Sequence, residues 1–309
     1  VGRIAGIINH AANEQWGVKK VRFGWIDFID DTEVSQALLD AVAAWGKSKG
    51  MDTLNGPVGF TDWDYEGLLI EGFEYLAPMA SLYNYPYYEK HMEAYGLTKE
   101  NDWIEMQLEA QCETPERVLR IDKLVRERYH LRVDKVHSSK ELERKYGMEY
   151  MDMLDEAYQK LYNFQPMTQR QKEHYKKTYF PLLNFDFVTI VVNEKNEIVG
   201  VGLGMPDISH ALRRCQGSLF PFGWIHVLRA LKAKQMEVFD LLLIGVRPDY
   251  QGMGVNAVII AEQHPYFRQY GIKRVETTSI METNTRNIAN WEMFPHKTHK
   301  RRRAYLKKI

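Results

Sequence analysis

An apolar strand that runs into a glycine-containing loop and then a helix constrains this chain more than any other feature. Residues 239–246 are almost wholly apolar, which is typical of a strand covered on both faces in an α/β fold. Gly252 and Gly254 follow a Pro-containing turn, and the apolar spacing over residues 255–270 predicts a helix. Small residues at a helix start let a ligand approach the backbone, whose unpaired N–H groups and dipole favour an anion. The segment therefore predicts an anion site, with a diphosphate as its natural guest.

Other interpretations of this loop differ in how well they fit the spacing. A Walker A loop is excluded because no G-x-x-x-x-G-K-[ST] pattern occurs. Residues 252–257 match a dinucleotide fingerprint of the G-x-G-x-x-A type, with Glu276 at a suitable distance for a ribose contact. In that fold the first Gly follows the strand directly, whereas here residues 247–251 intervene. An ordinary strand-to-helix turn also stays open.

The whole segment resembles motif A of the GNAT superfamily of N-acetyltransferases. That motif is a strand followed by V-x-P-x-Y and then [QR]-x-x-G-x-[GA]. The matching residues are Val246, Pro248, Tyr250, Gln251 and Gly254. Asn256 stands where the family has Gly or Ala. Downstream, a strand over residues 275–279 that leads to Asn284 is similar to the family's second cofactor-contacting segment, and residues 300–307 resemble the closing strand of one branch.

The resemblance implies an α/β (α+β) fold with two GNAT-like domains in tandem, each a mixed central β-sheet flanked by helices. Residues 1–112 are expected to form a degenerate, truncated copy that begins inside a domain, and residues 113–309 the acyltransferase-like domain. In the first copy the strand-to-helix junction carries Asp30, Asp31 and Glu33 instead of glycines. Carboxylates repel a phosphate, so we expect that this copy binds no coenzyme A.

The resemblance also implies a cofactor and a reaction. The expected cofactor is acetyl-CoA or another acyl-CoA, and the expected reaction is direct attack of an amine on the thioester. The acceptor would be a small-molecule or peptide amine. The residues expected to bind the cofactor are Ile244, Gly245, Val246, Gln251, Gly252, Met253, Gly254, Val255, Asn256 and Asn284. The alternative is a non-catalytic GNAT-like protein that binds a ligand or a partner.

The residues that would handle protons are predicted from their positions along the chain. Many family members place an acidic Tyr seven residues after the position of Asn284, where this chain has Trp291. An indole N–H cannot act as an acid. Glu282 is the general-base candidate because it ends a strand beside the expected cleft, and Tyr305 is the substitute acid. Asp240 is a further candidate for orienting the amine.

Composition excludes several classes of function. The chain has 41 basic and 41 acidic side chains, which argues against a protein whose main task is to neutralise nucleic-acid phosphates. With two cysteines it has neither a disulfide framework nor a Cys-x-x-Cys metal site, and we expect a cytoplasmic protein without a metal. No apolar stretch approaches the ~20 residues that span a bilayer, so no membrane partner is expected. A homo-oligomer stays open.

The last residues, 296–309, carry many Lys and Arg side chains and no acid. Alternation through Ala304 and Leu306 predicts a solvated edge strand, since edge strands often carry basic residues against unwanted pairing. A nucleic-acid patch and contact with a phosphate of the cofactor or an acidic acceptor are the alternatives.

Overall fold

The computed structural model describes residues 1–309, of which residues 2–109 form five strands and three helices. The strands are β1 (Gly2–Ile7), β2 (Lys20–Phe28), β3 (Thr53–Gly56), β4 (Leu68–Glu71) and β5 (Thr98–Glu109). The helices are α1 (His10–Trp16), α2 (Thr32–Ser48) and α3 (Tyr87–Ala94). Both α2 and its neighbouring strands contribute to one apolar core around Phe23, Leu39 and Leu54.

Residues 116–308 form seven strands and eight helices. The helices are α4 (Glu116–Tyr129), α5 (Ser139–Tyr146), α6 (Glu149–Tyr158), α7 (Gln169–Tyr179), α8 (Ser209–Arg214), α9 (Gly223–Leu231), α10 (Val255–Gln269) and α11 (Thr285–Trp291). The strands are β6 (Arg132–Val133), β7 (Val188–Val192), β8 (Ile198–Pro206), β9 (Val238–Val246), β10 (Arg274–Thr277), β11 (Ile280–Met281) and β12 (His296–Lys308). No helix combines the length and apolar composition needed to cross a bilayer.

All twelve strands belong to one mixed sheet. Its main order is β1-β2-β3-β12-β5-β10-β9-β8-β7-β6, while β4 pairs with β12 and β11 with β5. The pairs β2–β3 and β9–β10 are parallel and the others are antiparallel. Strand β12 lies between β3 and β5, so residues on both sides of the predicted boundary at residue 112 share this sheet. The mixed α/β architecture confirms the predicted fold class.

Helices cover both faces of the sheet around β9. On one face α10 and α4 pack over an apolar core that includes Phe239, Leu241 and Val275. On the other face α5, α6 and α7 cover a second apolar core. Coverage on both sides is the reason that β9 has so few polar residues. Asp240, which points away from the α10 face, is the exception.

A buried carboxylate joins β5 to β12. Glu105 is fully buried, and its Oε1 accepts from Arg302 Nε at 2.7 Å while its Oε2 accepts from Lys300 Nζ at 2.9 Å. Burial alone would raise the pKa of Glu105, but the two cations lower it to about 2. The prediction of a solvated edge strand over residues 296–309 is therefore wrong: β12 is a central strand, and Lys300 and Arg302 are buried.

We expect Glu105→Gln to lower the free energy of unfolding by about 3–5 kcal/mol at pH 7, because it leaves two buried cations without their counter-charge. The folded-state pKa of Glu105 is depressed, so its contribution is present above the unfolded value of 4.5 and is lost as the pH falls towards about 2. Urea unfolding across this range should show the two proteins converging at low pH. Glu71→Gln, which removes an exposed carboxylate facing Arg301, should cost less than about 1 kcal/mol; an equal cost would contradict the assignment.

Candidate cofactor and acceptor site

The loop between β9 and α10 leaves several backbone donors without acceptors. After a turn of 3-10 helix over Pro248–Tyr250, Gly252 and Gly254 adopt positive φ angles of 81° and 89°. Helix α10 then begins without a side-chain cap. The backbone N–H groups that donate to no acceptor within the chain are those of Gly252, Gly254, Val255 and Asn256. Unpaired donors at the start of a long helix form an anion-binding surface.

Two glycines keep this loop uncovered. A Cβ at Gly254 would lie 2.8 Å from Ile121 Cγ2 and 2.9 Å from Val125 Cγ2, so α4 leaves no room for a side chain. At Gly252 a Cβ would meet no atom within 4 Å, so the loop surface is open there. The positive φ disfavours L side chains at both positions. The residues present therefore fit a diphosphate that approaches the backbone closely.

The corresponding helix start in the first half of the chain is closed by its own side chain. Asp31 caps α2, and its Oδ1 accepts from the backbone N–H of Glu33 at 2.9 Å and of Val34 at 3.3 Å. A carboxylate occupies the place that a phosphate would take, and it carries the same sign of charge. This geometry supports the expectation that the first half binds no coenzyme A.

A gap opens between β9 and β10 beside the loop. Their pairing ends at Leu241 and Thr277, and a bulge at Leu242 shifts the register of β9 against β8. Arg247 N–H donates to Val199 O, so alternate residues of β9 bond to β8 beyond the bulge. The peptide groups of Ile244 and Val246 consequently point into the gap.

Side chains already occupy part of this gap. The hydroxyl of Tyr158 on α6 donates to Ile244 O at 3.3 Å, and Gln251 Nε2 donates to Val246 O at 3.0 Å. The N–H groups of Ile244 and Val246 remain available to a ligand that extends along the strand. The gap is thus lined by backbone donors and by one phenol.

The remaining predicted cofactor residues have local structural roles. Gly245 bonds through its backbone to β8, and a Cβ there would lie 3.0 Å from Leu154 Cδ2. The N–H groups of Gln251 and Met253 are used within the turn, and Met253 has an exposed side chain. Asn284 caps α11 by accepting from Asn287 N–H at 3.2 Å. The side-chain Oδ1 of Asn256 is buried without a partner, next to the loop donors.

Asp240 lies on β9 on the face opposite α10. It is 1% exposed, and neither of its carboxylate oxygens has a hydrogen-bond partner. Burial raises the pKa of Asp240 well above its ordinary value, and the carboxylates of Asp207 and Glu276 raise it further. A buried carboxyl group without partners is unfavourable, so its presence requires an explanation beyond stability. It lies two residues, about 7 Å by strand rise, before the bulge at the mouth of the gap.

Glu276 and His299 extend this polar cluster across the sheet. Glu276 lies beside Asp240 in the β10–β9 register, and its Oε1 accepts from Gln107 Nε2 at 2.5 Å. His299 Nε2 lies 2.7 Å from Glu276 Oε2, and Lys300 Nζ lies 3.6 Å from the same oxygen. Burial alone would raise the pKa of Glu276, but His299 and Lys300 together lower it. Glu276 therefore has Lys300 and His299 as close partners, whereas no side chain pairs with Asp240.

The two proton-handling residues proposed from sequence order lie elsewhere. Glu282 Oε1 is 2.5 Å from Lys99 Nζ and its Oε2 is 3.0 Å from Arg301 Nη1, so both oxygens are engaged in ion pairs. Tyr305 is 1% exposed within the apolar core of the first half, and its hydroxyl has no partner. Burial raises the pKa of Tyr305. Tyr305 is thus separated from the β9–β10 gap by the width of β5 and β10, and its role as an acid stays a prediction.

Sequence reasoning missed Tyr158 and the proximity of Glu276 and His299 to each other. The signal for Asp240 was visible, since it is the lone charged residue in an apolar strand. Tyr158 is far from the motif in sequence and could be found only from the packing of α6 against β9. His299 of β12 and Glu276 of β10 meet across β5, because β5 pairs with both strands.

Comparison with known proteins shows which proteins the chain is similar to. No family model matches the chain. Protein YghO of Escherichia coli K12 is 31% identical over 320 aligned residues, which cover 100% of this chain and 79% of the relative. Bacterial ceramide synthase of Caulobacter vibrioides is 25% identical over 293 aligned residues, which cover 92% of this chain and 74% of that protein.

Solved structures share the fold at much lower identity. A GCN5-related N-acetyltransferase from Sphaerobacter thermophilus superposes with a TM-score of 0.53 at 13% identity, covering 99% of this chain and 76% of that one. A tandem GNAT protein from the clavulanic acid biosynthesis pathway superposes with a TM-score of 0.50 at 9% identity, covering 94% and 76%. These similarities confirm the superfamily fold that motif A indicated.

We expect Asp240→Asn to stabilise the protein at pH 8, because it removes a carboxylate whose ionisation is opposed by burial. The folded-state pKa of Asp240 is raised, so stability is fully present below the unfolded pKa and is lost as the pH rises towards the folded value. Urea unfolding should show the variant more stable than the wild type at pH 8 and equal to it near pH 4. The control Asp249→Asn removes an exposed carboxylate that pairs with Arg247, and it should not make the protein more stable than the wild type at pH 8. A less stable Asp240→Asn protein at pH 8 would refute the argument.

Proposed function

We propose that this chain, which belongs to the family of Protein YghO and shares the fold of GCN5-related N-acetyltransferases, is an acyl-CoA-dependent N-acyltransferase. One observation carries the proposal: four unpaired backbone N–H groups at the start of α10 adjoin a gap lined by the peptide groups of Ile244 and Val246. Such a surface suits a diphosphate followed by an extended, amide-containing arm. Acetyl-CoA and longer acyl-CoA thioesters share that arm.

The loop and the gap would divide the recognition of the cofactor. The N–H groups of Gly252, Gly254, Val255 and Asn256 would hold the diphosphate through charge-assisted hydrogen bonds. The N–H groups of Ile244 and Val246 would pair with the carbonyls of the arm as a strand does. When bound, the cofactor supplies an activated acyl group. The chain's own residues position this group at the bulge of β9.

Asp240 is the proposed binding group for the acceptor amine. A protonated amine beside the buried carboxyl group would favour its ionised form, and the carboxylate would take one proton from that amine. The neutral amine nitrogen would then attack the thioester carbon, and the second proton that it loses as the amide forms balances the proton that the departing sulfur gains. The new C–N bond forms as the C–S bond breaks. The Tyr158 hydroxyl, which reaches the gap through its bond to Ile244 O, is the proposed donor to the departing sulfur.

The proposed reaction is compatible with several classes of acceptor amine. Small-molecule amines and peptide amines are both suitable acceptors in the proposed reaction. The relative named bacterial ceramide synthase adds a third class, since a ceramide is the N-acyl derivative of a long-chain amino alcohol. A non-catalytic protein that binds an acyl-CoA and transfers nothing is the competing function. Turnover with amines of each class, measured as release of the coenzyme A thiol, distinguishes an acyltransferase from a protein that only binds acyl-CoA.

We expect Gly252→Leu to weaken binding of coenzyme A at least about tenfold, since a side chain over the loop displaces charge-assisted hydrogen bonds. Gly50→Leu is a matched control: it also has a positive φ, 78° against 81°, and likewise no atom within 4 Å of an added Cβ. Titration calorimetry should show unchanged affinity for the control. Equal affinities in both variants would remove the loop from the cofactor site.

We expect Asp240→Asn to lower kcat/KM for amine acylation at least about a hundredfold while coenzyme A affinity stays unchanged. The exposed Glu237→Gln change, near the start of the same strand, should leave both quantities unchanged. A liquid-chromatography assay of the amide product measures the effect, and Tyr158→Phe should lower kcat without abolishing binding. Full activity of Asp240→Asn across the pH range would exclude the carboxyl group as the proton acceptor.

A further inference from the structure

The segment between β8 and β9 exposes an unusual amount of apolar surface. This insert, residues 208–236, contains α8, a connecting loop and α9. Phe220 is 81% exposed, Phe222 is 70% exposed and Trp224 is 45% exposed. Leu228 is also exposed, one helical turn after Trp224 on α9. The two most exposed aromatic side chains of the protein therefore stand together, next to an apolar helix face.

The loop that presents these side chains is tightly packed. Gly223 is buried, and a Cβ there would lie 1.9 Å from Ser218 O. Ser218 Oγ donates to Phe220 O at 2.9 Å, and Trp224 Nε1 donates to Pro221 O at 3.0 Å. Helix α9 packs against α8 and β8. The aromatic side chains are thus held outwards by a structured base.

All the charged side chains of the insert are basic. It contains no Asp or Glu, although the whole chain has equal numbers of acids and bases. Its basic residues are all exposed and form no ion pair: Arg213, Arg214, Arg229, Lys232 and Lys234. Helix α4 offers a contrast, because it also exposes leucines, Leu119 and Leu124, but carries Glu116, Asp122 and Glu127 among them.

We propose that the insert docks onto an anionic lipid surface. Aromatic and aliphatic side chains on a short amphipathic helix enter the headgroup region of a bilayer, and flanking Lys and Arg side chains are attracted to anionic lipids. The five exposed cations of the same insert, which form no ion pair, supply this charge complementarity. A second copy of the chain is a poorer occupant, because the same unpaired cations would face one another across the contact.

The insert is anchored beside Asp240. Its first helix holds the neighbouring loop through Ser209 Oγ, which donates to Ala77 O at 2.9 Å. Asp207, directly before the insert, is close enough to raise the pKa of Asp240. Docking therefore places the acceptor side of the sheet near the lipid, where an amine with an apolar tail would be taken from the membrane. This consequence alone rests on the proposed function.

Flotation of the full chain with vesicles tests the docking without acyl-CoA or amine. Phosphatidylcholine vesicles with phosphatidylglycerol should carry the wild-type protein at low salt, pure phosphatidylcholine vesicles should carry much less, and added salt should weaken the interaction. Phe220→Ser with Phe222→Ser, and separately Arg213→Gln with Arg214→Gln, should each reduce partitioning at least about tenfold. Because no substrate is present, this result is independent of any loss of acyl transfer.

Matched changes on α4 complete the test. Leu119→Ser with Leu124→Ser, and Arg117→Gln with Arg120→Gln, remove equivalent exposed groups outside the insert and should leave flotation unchanged. Circular dichroism confirms that each variant is folded. The proposal fails if the folded wild-type protein prefers no anionic vesicle, or if the α4 variants lose as much binding. It also fails if the protein is a dimer that Phe220→Ser with Phe222→Ser dissociates, with no vesicle binding.

Discussion

Glu105 is the charge on which the arrangement of the sheet depends. Two cations of β12, Lys300 and Arg302, are buried in the middle of the protein, and an isolated buried cation is strongly unfavourable. Glu105 supplies the opposite charge from the adjacent strand, which makes the central position of β12 tolerable. Lys300 also approaches Glu276 on the far side of β5. The pairing of β12 with β5 and the polar residues beside Asp240 are therefore connected by one ionic network.

The bulge in β9 separates two kinds of chemistry along a single strand. Before Leu242 the strand bonds regularly to both neighbours and presents Asp240 on the face opposite α10. After it, β10 has diverged, and the peptide groups of Ile244 and Val246 lose their pairing partner. One strand thus carries a polar side chain at one end and free backbone donors at the other. The proposed thioester carrier and amine would consequently approach from different directions.

Local features were predictable from sequence, and long-range pairing was not. The strand, loop and helix around Gly254 depend on neighbouring residues, so apolar spacing and glycine positions sufficed. Basic alternation over residues 296–309 says nothing about Glu105, whose position in a strand far earlier in the chain decides the environment of β12. Tyr305 was chosen by strand order alone, although side-chain direction and burial determine which cavity a residue reaches. Asp240, a lone acid among apolar neighbours, is the residue of the proposed acceptor site that sequence could single out.

The position of β12 has a consequence for the order of folding. Strands β3 and β5 are close in the chain, yet the structure holds them apart by a strand that is synthesised long after both of them. While residues 296–308 are still within the ribosome, both strands have an open edge. Contacts between residues so distant in sequence form slowly, and open edges invite pairing with other chains. A nascent chain of this protein is therefore an expected client of chaperones that shield exposed strands.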